Sequence, residues 1–434
     1  MKKIAFSTLG CKVNQADTAS MEKLFRQAGY ELVAFNVKAD IYLINTCVVT
    51  NMGQKKSRQV IHRAVRQNPE ALIVVTGCYP QTAADEVKAI SGVDLIIGNQ
   101  DRAQLVTLVE KALMERRGST MDGVHQLTAQ TAFEELPADE ATDKTRAFLK
   151  IQEGCNQYCT YCIIPYARGP LRSRSLTNIK TEVTRLVAAG FKEIVLIGIH
   201  LGAYGQETAG GATLTAAVKT VLAVPGVERL RLGSLESVEV ADELLEVMLA
   251  DERVCRQLHL PLQAGCDEIL QLMHRPYDTA KFSKLLQKIR QTIPEIAITT
   301  DIIVGFPGET AEHFAATKVF ATQCQFSKIH IFPFSPRQGT PAASYAGVVP
   351  ENLKQERATQ LAAVDANAHA AFCQTLVGHK VQVLFEQAVA PNLVEGLSSN
   401  YIRVFAPGAA SLNGQIRTVA VQKVYQDGVY GEIQ

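Results

Sequence analysis

The stretch GCNQYCTYC, residues 154–162, carries three cysteines and determines how the middle of this chain is interpreted. Cys155, Cys159 and Cys162 follow AFLKIQ, residues 147–152, which has the apolar pattern of a β-strand. A structural zinc site has four ligands, whereas an iron–sulfur cluster held by three thiolates keeps one iron free for another ligand. The spacing favours such a cluster, and a zinc site with a distant fourth ligand is the alternative.

The sequence around this loop alternates between apolar strands and helical stretches. Strands are predicted at 147–152, 193–199, 229–234, 257–260, 297–305 and 328–334. Six β/α units predict a partial parallel barrel with functional side chains at the carboxyl ends of its strands. Polar side chains near those ends are His200, Ser234, Glu236, His259, Gln263 and Asp301.

A second alternation of strands and helices fills the first 117 residues and predicts a doubly wound parallel sheet. Three cysteines, in LGC, NTC and TGC, each come immediately after an apolar strand candidate. Cys11 follows KIAFSTL, Cys47 follows DIYLINT and Cys78 follows ALIVVTG. The carboxyl ends of parallel strands meet at one edge, so we expect the three thiols to meet there. The alternative is that each cysteine is a small buried apolar residue.

The rest of the chain divides into a linker and a tail. Residues 118–143 hold six acids and no Lys or Arg, which indicates an acidic linker. After a helical stretch that begins at Glu351, short β-rich segments predict a small antiparallel barrel or sheet. The predicted fold class is therefore α/β, with a parallel-sheet domain at 1–117, a partial (β/α)6 barrel at 144–371 and a β domain at 372–434.

Composition limits the classes of function. Hydrophobic residues make up 47% of the chain and charged residues 20%, as in globular proteins, and we find no apolar run that predicts a membrane span or a signal peptide. Ten cysteines are too few for a disulfide framework in 434 residues, so a cytoplasmic location without a membrane partner is predicted. The net charge of +1 means that any RNA contact must come from local basic patches.

Motifs along nearly the whole chain resemble the radical S-adenosylmethionine methylthiotransferases. GCKVNQAD (10–17), INTCVVTNMGQKKSRQ (44–59) and VVTGCYPQ (74–81) are similar to the amino-terminal domain of that family. GCNQYCTYCIIPYARGPLRSR, TTDIIVGFPGET and HIFPFSPRQGTPA are similar to its radical domain. The β-rich tail matches the position of the family's TRAM domain, which is generally regarded as an RNA-binding module.

The resemblance implies two [4Fe-4S] clusters and S-adenosylmethionine as cofactors. Cys155, Cys159 and Cys162 would hold the catalytic cluster, which cleaves S-adenosylmethionine to a 5′-deoxyadenosyl radical, and Cys11, Cys47 and Cys78 the auxiliary cluster, which carries the sulfur. The residues implied in binding S-adenosylmethionine are Tyr161, Ser234, Glu236 and Asp301. The other four cysteines, Cys255, Cys266, Cys324 and Cys373, are interpreted as structural.

The resemblance also suggests a substrate. CKVN at 11–14 and IHLGAYG at 199–205 look like the branch that methylthiolates threonylcarbamoyladenosine next to the anticodon of tRNA. Isopentenylated adenosine in tRNA and a ribosomal protein are alternative substrates within the family. A non-catalytic iron–sulfur protein that binds RNA or transfers electrons is the alternative from another class.

The implied partners are tRNA and an electron donor such as a flavodoxin or a ferredoxin, and a monomer is expected. Two basic patches near the cysteines are candidates for contacts with RNA phosphates. Their residues are Lys55, Lys56 and Arg58 in the first patch and Arg168, Arg172 and Arg174 in the second.

Overall fold

This computed structural model describes residues 1–115, 119–140 and 145–434. Within those ranges the chain forms two parallel α/β units followed by a small closed β-barrel, which confirms the predicted fold class. The predicted domain boundaries at 117–118 and 143–144 lie outside the described residues. None of the helices in the described ranges combines the length and the apolar character that a membrane crossing requires.

The amino-terminal unit is a parallel sheet whose described strands run in the order β2-β1-β3-β4-β5-β6. The strands are β1 (Lys3–Thr8), β2 (Glu31–Val33), β3 (Ile41–Thr46), β4 (Leu72–Gly77), β5 (Leu95–Ile97) and β6 (Met121–Gly123). The helices are α1 (Lys12–Gln27), α2 (Asn51–Gln67), α3 (Cys78–Thr82), α4 (Ala84–Lys88) and α5 (Leu105–Met114).

Helices cover both faces of this sheet. Tyr42 and Ile44 of β3 pack in one hydrophobic core together with α2, whereas Ile41 and Leu43 pack in the opposite core with α1 and α5. Successive side chains of a strand point to opposite faces, so a strand covered on both sides is apolar at every position. The apolar run IYLI in β3 follows from this burial.

The segment predicted as a linker contributes to the structure of both α/β units. Its strand β6 pairs in parallel with β5 and extends the amino-terminal sheet. Its acids then pair with cations of both units in the ion pairs Glu134–Arg102, Glu135–Arg174, Asp139–Arg26 and Glu140–Lys23. Buried or half-buried cations need such partners, which explains why this acidic segment is structured.

The central unit is a partial barrel. Its strands are β7 (Arg146–Lys150), β8 (Gln152–Glu153), β9 (Arg172–Ser173), β10 (Glu193–Ile197), β11 (Arg229–Leu232), β12 (Gln257–His259), β13 (Ala297–Val304) and β14 (Lys328–Pro333). Its helices are α6 (Ile164–Arg168), α7 (Leu176–Ala188), α8 (Leu214–Leu222), α9 (Asp242–Ala250), α10 (Asp267–Leu272), α11 (Thr279–Thr292) and α12 (Ala311–Cys324).

Two parallel three-stranded sheets, β7-β10-β11 and β12-β13-β14, make up this barrel among the described residues. Parallel bridges from Leu230 to Val254 and from Ser234 to His259 join them. β8 and β9 form a separate two-stranded antiparallel ribbon. The six barrel strands confirm the predicted (β/α)6 arrangement.

The barrel has a helix-covered outer surface and an inner surface, here called the lumen. On β10, Ile194 and Leu196 belong to the core beneath the helices, whereas Val195 and Ile197 face the other way. Val13 at the start of α1 packs against Val195 and Ile197. The amino-terminal unit therefore covers the lumen side of β10.

The long helix α13 (Glu351–Thr375) leads to the carboxy-terminal barrel. Its described strands close in the order β15-β16-β17-β19-β18. They are β15 (Lys380–Ala390), β16 (Leu393–Ser398), β17 (Arg403–Pro407), β18 (Ile416–Tyr425) and β19 (Gly428–Ile433). Neighbouring strands are antiparallel except β17 and β19, which are parallel, so the prediction of a small antiparallel barrel is correct apart from this closing pair.

This small barrel closes the amino ends of the lumen strands. Arg229 and Arg231 both pair with Glu193 inside the lumen. Their remaining nitrogens donate hydrogen bonds to the backbone carbonyls of Leu397 and Ser398, at 2.9 and 3.0 Å. Buried guanidinium groups require this full set of acceptors.

Candidate functional site

Three cysteines of the amino-terminal unit lie at the carboxyl edge of its sheet. Cys11 precedes α1 after β1, Cys47 directly follows β3, and Cys78 begins α3 after β4. The strands β1, β3 and β4 are neighbours in the sheet, so the topology brings the three residues to one place. We call Cys11, Cys47 and Cys78 the amino-terminal trio.

Glycine makes the close approach between members of this trio possible. Gly10, with a φ of +104°, lies so near Cys47 that a Cβ on Gly10 would be 2.9 Å from the Cβ and 3.0 Å from the sulfur of Cys47. Burial, together with the neighbouring thiols of Cys78 and Cys11, raises the pKa of the Cys47 thiol to about 11. A raised pKa means that these neighbouring thiols ionise only with difficulty. Their thiolates therefore need a positively charged partner, such as a metal centre, to stabilise them.

The central trio, Cys155, Cys159 and Cys162, lies in the loop after β8. The backbone N–H of Cys155 donates to the carbonyl of Gly169 at 3.0 Å, and that of Cys162 donates to the carbonyl of Cys159 at 2.9 Å. Burial, with Cys159 and Cys155 nearby, raises the pKa of the Cys162 thiol to about 12. This trio has the same need for a cationic centre.

The donor set of each trio bears on the kind of metal group that it could hold. A structural zinc site closes a tetrahedron with four protein ligands. Three thiolates can instead hold an iron–sulfur cluster that keeps one iron open to another ligand. Three cysteines in each trio fit such a cluster.

The short helix α6 connects the two trios. It begins two residues after Cys162, and its last residue, Arg168, donates from Nε to the sulfur of Cys78 at 3.3 Å. Ile163 and Ala167 pack in the core of the amino-terminal unit. A helix of five residues is about 7.5 Å long, so the trios lie at opposite ends of a short rigid connection.

A buried ionic network fixes Arg168 in this position. Its Nη1 lies 3.1 Å from Asp17 of α1 and 3.1 Å from Glu153 of β8, and its Nη2 donates to the side chain of Asn14. Although burial alone would raise the pKa of Glu153, Arg168 and Lys150 lower it to about 2. Residues from both α/β units are thus held in one charge-balanced cluster.

Arg275 links the central trio to a predicted S-adenosylmethionine contact. Its Nη1 donates to the sulfur of Cys159 at 3.1 Å and lies 3.4 Å from the hydroxyl of Tyr161, and its Nη2 pairs with Glu236. Tyr161 and Glu236 therefore lie beside the central trio. His200 approaches the same trio, with Nδ1 3.6 Å from the sulfur of Cys155.

The other two predicted S-adenosylmethionine contacts lie on the lumen wall. Ser234 is exposed and forms a parallel bridge with His259, and Asp301 is 3.3 Å from Nε2 of His259. Contacts of Tyr161, Ser234, Glu236 and Asp301 with S-adenosylmethionine stay predictions. Sequence reasoning missed Arg275, because a single arginine in HRPYD (274–278) belongs to no pattern that distinguishes it from a surface cation.

The two predicted RNA-binding patches differ in exposure. Lys55 and Lys56 are exposed on α2, and the half-buried Arg58 donates to the hydroxyl of Tyr79 at 3.2 Å. The second patch is buried: the relative exposure of Arg168, Arg172 and Arg174 is 0%, 4% and 3%.

The buried arginines of the second patch have hydrogen-bonding partners within the protein. Arg172 donates to the carbonyl of Arg168, and Arg174 donates to the carbonyls of Lys150 and Leu136. These arginines join parts of the protein, and their burial does not favour contacts with phosphates, so the RNA contacts of this patch stay a prediction. Arg174 also pairs with Glu135 of the acidic segment, and Arg168 pairs with Asp17 and Glu153, as buried cations require.

Comparison with known proteins agrees with this geometry. Residues 3–98 match a family described as uncharacterized protein family UPF0004, and residues 149–321 match the radical SAM superfamily. The chain is 42% identical to the threonylcarbamoyladenosine tRNA methylthiotransferase MtaB of Bacillus subtilis, over 99% of this chain and 96% of that protein. It is 36% identical to the protein of the same name from Aquifex aeolicus, over 96% and 100%.

A relative with a different printed substrate is also similar. The tRNA-2-methylthio-N(6)-dimethylallyladenosine synthase of Acetivibrio thermocellus is 34% identical, over 100% of this chain and 91% of that protein. Among solved structures, the radical S-adenosylmethionine methyltransferase TsrM of Kitasatospora setae with cobalamin and a [4Fe-4S] cluster aligns with a TM-score of 0.58 at 14% identity. That alignment covers 91% of this chain and 81% of the other, and it shows a shared fold.

Proposed function

Because this chain belongs to the radical S-adenosylmethionine tRNA methylthiotransferases, we propose that it methylthiolates N6-threonylcarbamoyladenosine next to the anticodon of tRNA. The family assignment makes the chain an enzyme that transfers methylthio groups. The choice of substrate is supported by the names of its relatives from Bacillus subtilis and Aquifex aeolicus and by the motif CKVN at 11–14.

One structural observation carries the proposed mechanism. Two cysteine trios from different α/β units lie at the two ends of α6, and Arg168 of α6 contacts Cys78 directly. We propose that each trio holds one [4Fe-4S] cluster. A substrate base in the lumen could then reach both centres without a movement of the two units.

The cofactors supply the difficult chemistry, and the protein positions the reactants. When bound, the clusters and S-adenosylmethionine provide one-electron chemistry and a methylated sulfur, which together replace an aromatic C–H by C–SCH3. Arg275 holds Glu236 beside the central trio, and Glu236 would accept hydrogen bonds from S-adenosylmethionine. Asn14 and Arg168 orient the loop that carries Cys11.

The partners follow from this reaction. The exposed Lys55 and Lys56 on α2 are close in sequence to Cys47 and are proposed to contact phosphates of the tRNA. A one-electron donor of the flavodoxin or ferredoxin class would reduce the central cluster. Since tRNA is the substrate, the proposed location is the cytoplasm.

Mass spectrometry of tRNA nucleosides tests the substrate. A strain without this gene should lose the 2-methylthio derivative of threonylcarbamoyladenosine and retain the 2-methylthio derivative of isopentenyladenosine. The wild-type gene and a Cys324→Ala variant, which changes a buried cysteine outside both trios, should restore the lost nucleoside. A Cys47→Ala variant should not. Loss of the isopentenyladenosine derivative instead would assign the other substrate.

A further inference from the structure

Three polar side chains form a continuous group on the lumen wall. His259 of β12, Asp301 of β13 and His330 of β14 lie on adjacent strands, and their ligand atoms are all within 4.8 Å of one another. Asp301 and His330 are direct partners in the strand register. The Nδ1 atom of His259 is 2.8 Å from the hydroxyl of Thr299, which orients the ring so that Nε2 faces Asp301 at 3.3 Å.

This group faces the lumen and remains accessible. Ile298, Ile302 and Ile329, at the alternate positions of the same strands, are in the core beneath the helices. Asp301 is partly exposed and His330 is exposed. The amino-terminal unit packs against the lumen side of β10, which is in the other half of the barrel.

An exposed aromatic ring lies next to the group. Phe332 is two residues after His330 on the same face of β14, and 45% of it is exposed. Two residues of a strand span about 6.6 Å, so Phe332 lies nearer to the carboxyl ends of the barrel strands, where the central trio is located. The lumen wall thus offers an aromatic surface near the cofactors and a polar surface farther from them.

We infer that Phe332 stacks on the substrate adenine and that His330, Asp301 and His259 bind its N6 substituent, so that this wall selects the threonylcarbamoyl group. This inference rests on the proposed function. Atoms C2 and N6 flank N1 on the same edge of adenine, so a base can turn C2 towards the cysteines while its N6 substituent extends along the wall. It also reassigns Asp301, predicted above to contact S-adenosylmethionine, to the substrate.

The chemistry of the substituent matches these side chains. Threonylcarbamoyl carries a carboxylate and a carbonyl, which accept hydrogen bonds, and a hydroxyl and N–H groups, which donate them. His330 supplies a ring N–H to the carboxylate, and Asp301 accepts from the hydroxyl or an N–H. A stacked aromatic ring suits the adenine itself.

The same side chains disfavour a hydrocarbon substituent. An isopentenyl group would displace water from Asp301 and His330 and give them no hydrogen-bonding partner. A site that hydrogen-bonds a polar substrate group rejects analogues without that group much more strongly than an apolar pocket rejects an added group, because its polar side chains lose their contact with water when the analogue binds. Loss of one charge-assisted hydrogen bond corresponds to a roughly tenfold or greater loss of affinity.

A metal ion is the competing occupant, because two imidazoles and a carboxylate also bind divalent cations. One observation favours the nucleoside: Phe332 provides an exposed stacking surface beside the group, which a metal site does not need. Metal binding is therefore treated as an outcome of the test.

The test measures binding of synthetic anticodon stem-loop RNA to the reconstituted holoenzyme by fluorescence anisotropy. Three RNAs carry threonylcarbamoyladenosine, isopentenyladenosine or adenosine at the target position. The wild type should prefer the first RNA over the other two by tenfold or more. His330→Ala and Asp301→Asn should each lose about tenfold affinity for that RNA only. Lys219→Ala changes an exposed residue of α8, on the helix-covered outer surface of the barrel, and should bind like the wild type.

The outcomes separate the two proposals. A wild type without the preference would overturn the threonylcarbamoyl assignment and this inference with it. A preference that survives in His330→Ala and Asp301→Asn would leave the proposed function intact and overturn this inference. Equal losses of affinity for all three RNAs in these two variants would also overturn it. So would a metal site, seen as one equivalent of zinc that the wild type retains after dialysis against Zn²⁺ and that Asp301→Asn does not retain.

Discussion

Arg168 donates a hydrogen bond from Nε to the sulfur of Cys78 at 3.3 Å, although the two residues belong to different α/β units. The guanidinium is fully buried and also contacts Asp17 and Glu153. The two cysteine trios are therefore held at a fixed separation by one side chain. In the proposed function, this relationship would let two clusters act on one base without moving the two units relative to each other.

Replacement of Arg168 by Met should destabilise the metal-free protein by about 3–5 kcal/mol. The change leaves the buried carboxylates of Asp17 and Glu153 with only Arg102 and Lys150 as partners. The buried network then carries one uncompensated negative charge, and breaking a buried ion pair costs about this much. The free energy of unfolding in urea measures the effect. Lys219→Met on α8 changes an exposed cation and should alter stability by less than about 0.5 kcal/mol. Equal stabilities of Arg168→Met and the wild type would contradict this account of the network.

Removal of either cysteine trio should remove about half of the iron and of the sulfide. A triple alanine variant at Cys11, Cys47 and Cys78 and another at Cys155, Cys159 and Cys162 should each retain one cluster after anaerobic reconstitution. Iron and sulfide assays measure this directly. Cys324→Ala is the control and should retain both clusters. If either triple variant kept the iron content of the wild type, the trio it lacks would not hold a cluster.

Tyr401 connects all three units through its ring. The guanidinium of Arg231 lies 4.8 Å from the ring centroid, and Lys12 of α1 and Arg146 of β7 lie 5.5 and 5.7 Å from it. Tyr401→Ala should destabilise the docking of the carboxy-terminal barrel by about 3 kcal/mol, through lost burial and lost cation–π contacts.

Limited proteolysis between the central unit and the carboxy-terminal barrel measures the effect of Tyr401→Ala, which should be cleaved faster. Tyr401→Phe keeps the ring and should behave nearly as the wild type. Equal cleavage rates for Tyr401→Ala and Tyr401→Phe would show that the ring does not hold the barrel in place.

His369 should make stability depend on pH. Both ring nitrogens face backbone carbonyls, Nδ1 that of Ser327 at 2.7 Å and Nε2 that of Asp427 at 3.0 Å, so only the protonated ring donates to both. The Cys373 sulfur raises the pKa of His369 to about 9, with the two carbonyls adding to this effect against the influence of burial.

The contribution of His369 to stability decreases as the pH rises, because its pKa is raised in the folded state. The stabilisation is fully present below the unfolded-state pKa of about 6.5 and is lost as the pH rises through about 9. Because His369 is only half-buried, the expected contribution is about 1 kcal/mol. Urea unfolding at pH 6 and pH 10 should show a smaller loss of stability in His369→Gln than in the wild type. Parallel losses in the two proteins would contradict this role.

Topology and strand pattern made the architecture predictable from sequence. The rule that carboxyl ends of parallel strands meet at one edge was sufficient to place Cys11, Cys47 and Cys78 together. The partial barrel followed from six apolar segments separated by helical ones. These features depend on local periodicity, which a single sequence carries.

Interactions between distant segments were not predictable. The basic residues Arg168, Arg172 and Arg174 have the composition of an RNA-binding patch, but the acidic segment 119–140 and the acids of α1 and β8 occupy the charges around them. The charge of a residue in a sequence does not show whether distant segments of the folded chain will bury its side chain. The lumen group of His259, Asp301 and His330 was missed as a unit because β-strand register, not sequence proximity, brings it together.

Gly10 should be required for the amino-terminal cluster and dispensable for the central one. A methyl group at this position would lie 2.9 Å from the Cβ of Cys47, at a φ of +104° that disfavours any side chain. Gly10→Ala should therefore displace Cys11 or Cys47 and lower the reconstituted iron content to about half.

Gly29→Ala is a matched control, since Gly29 has a φ of +82° and no atom within 4 Å of an added Cβ. Backbone strain alone would affect both variants in the same way, whereas crowding of the trio would affect only Gly10→Ala. A full iron content in Gly10→Ala would mean that the trio does not need this close approach.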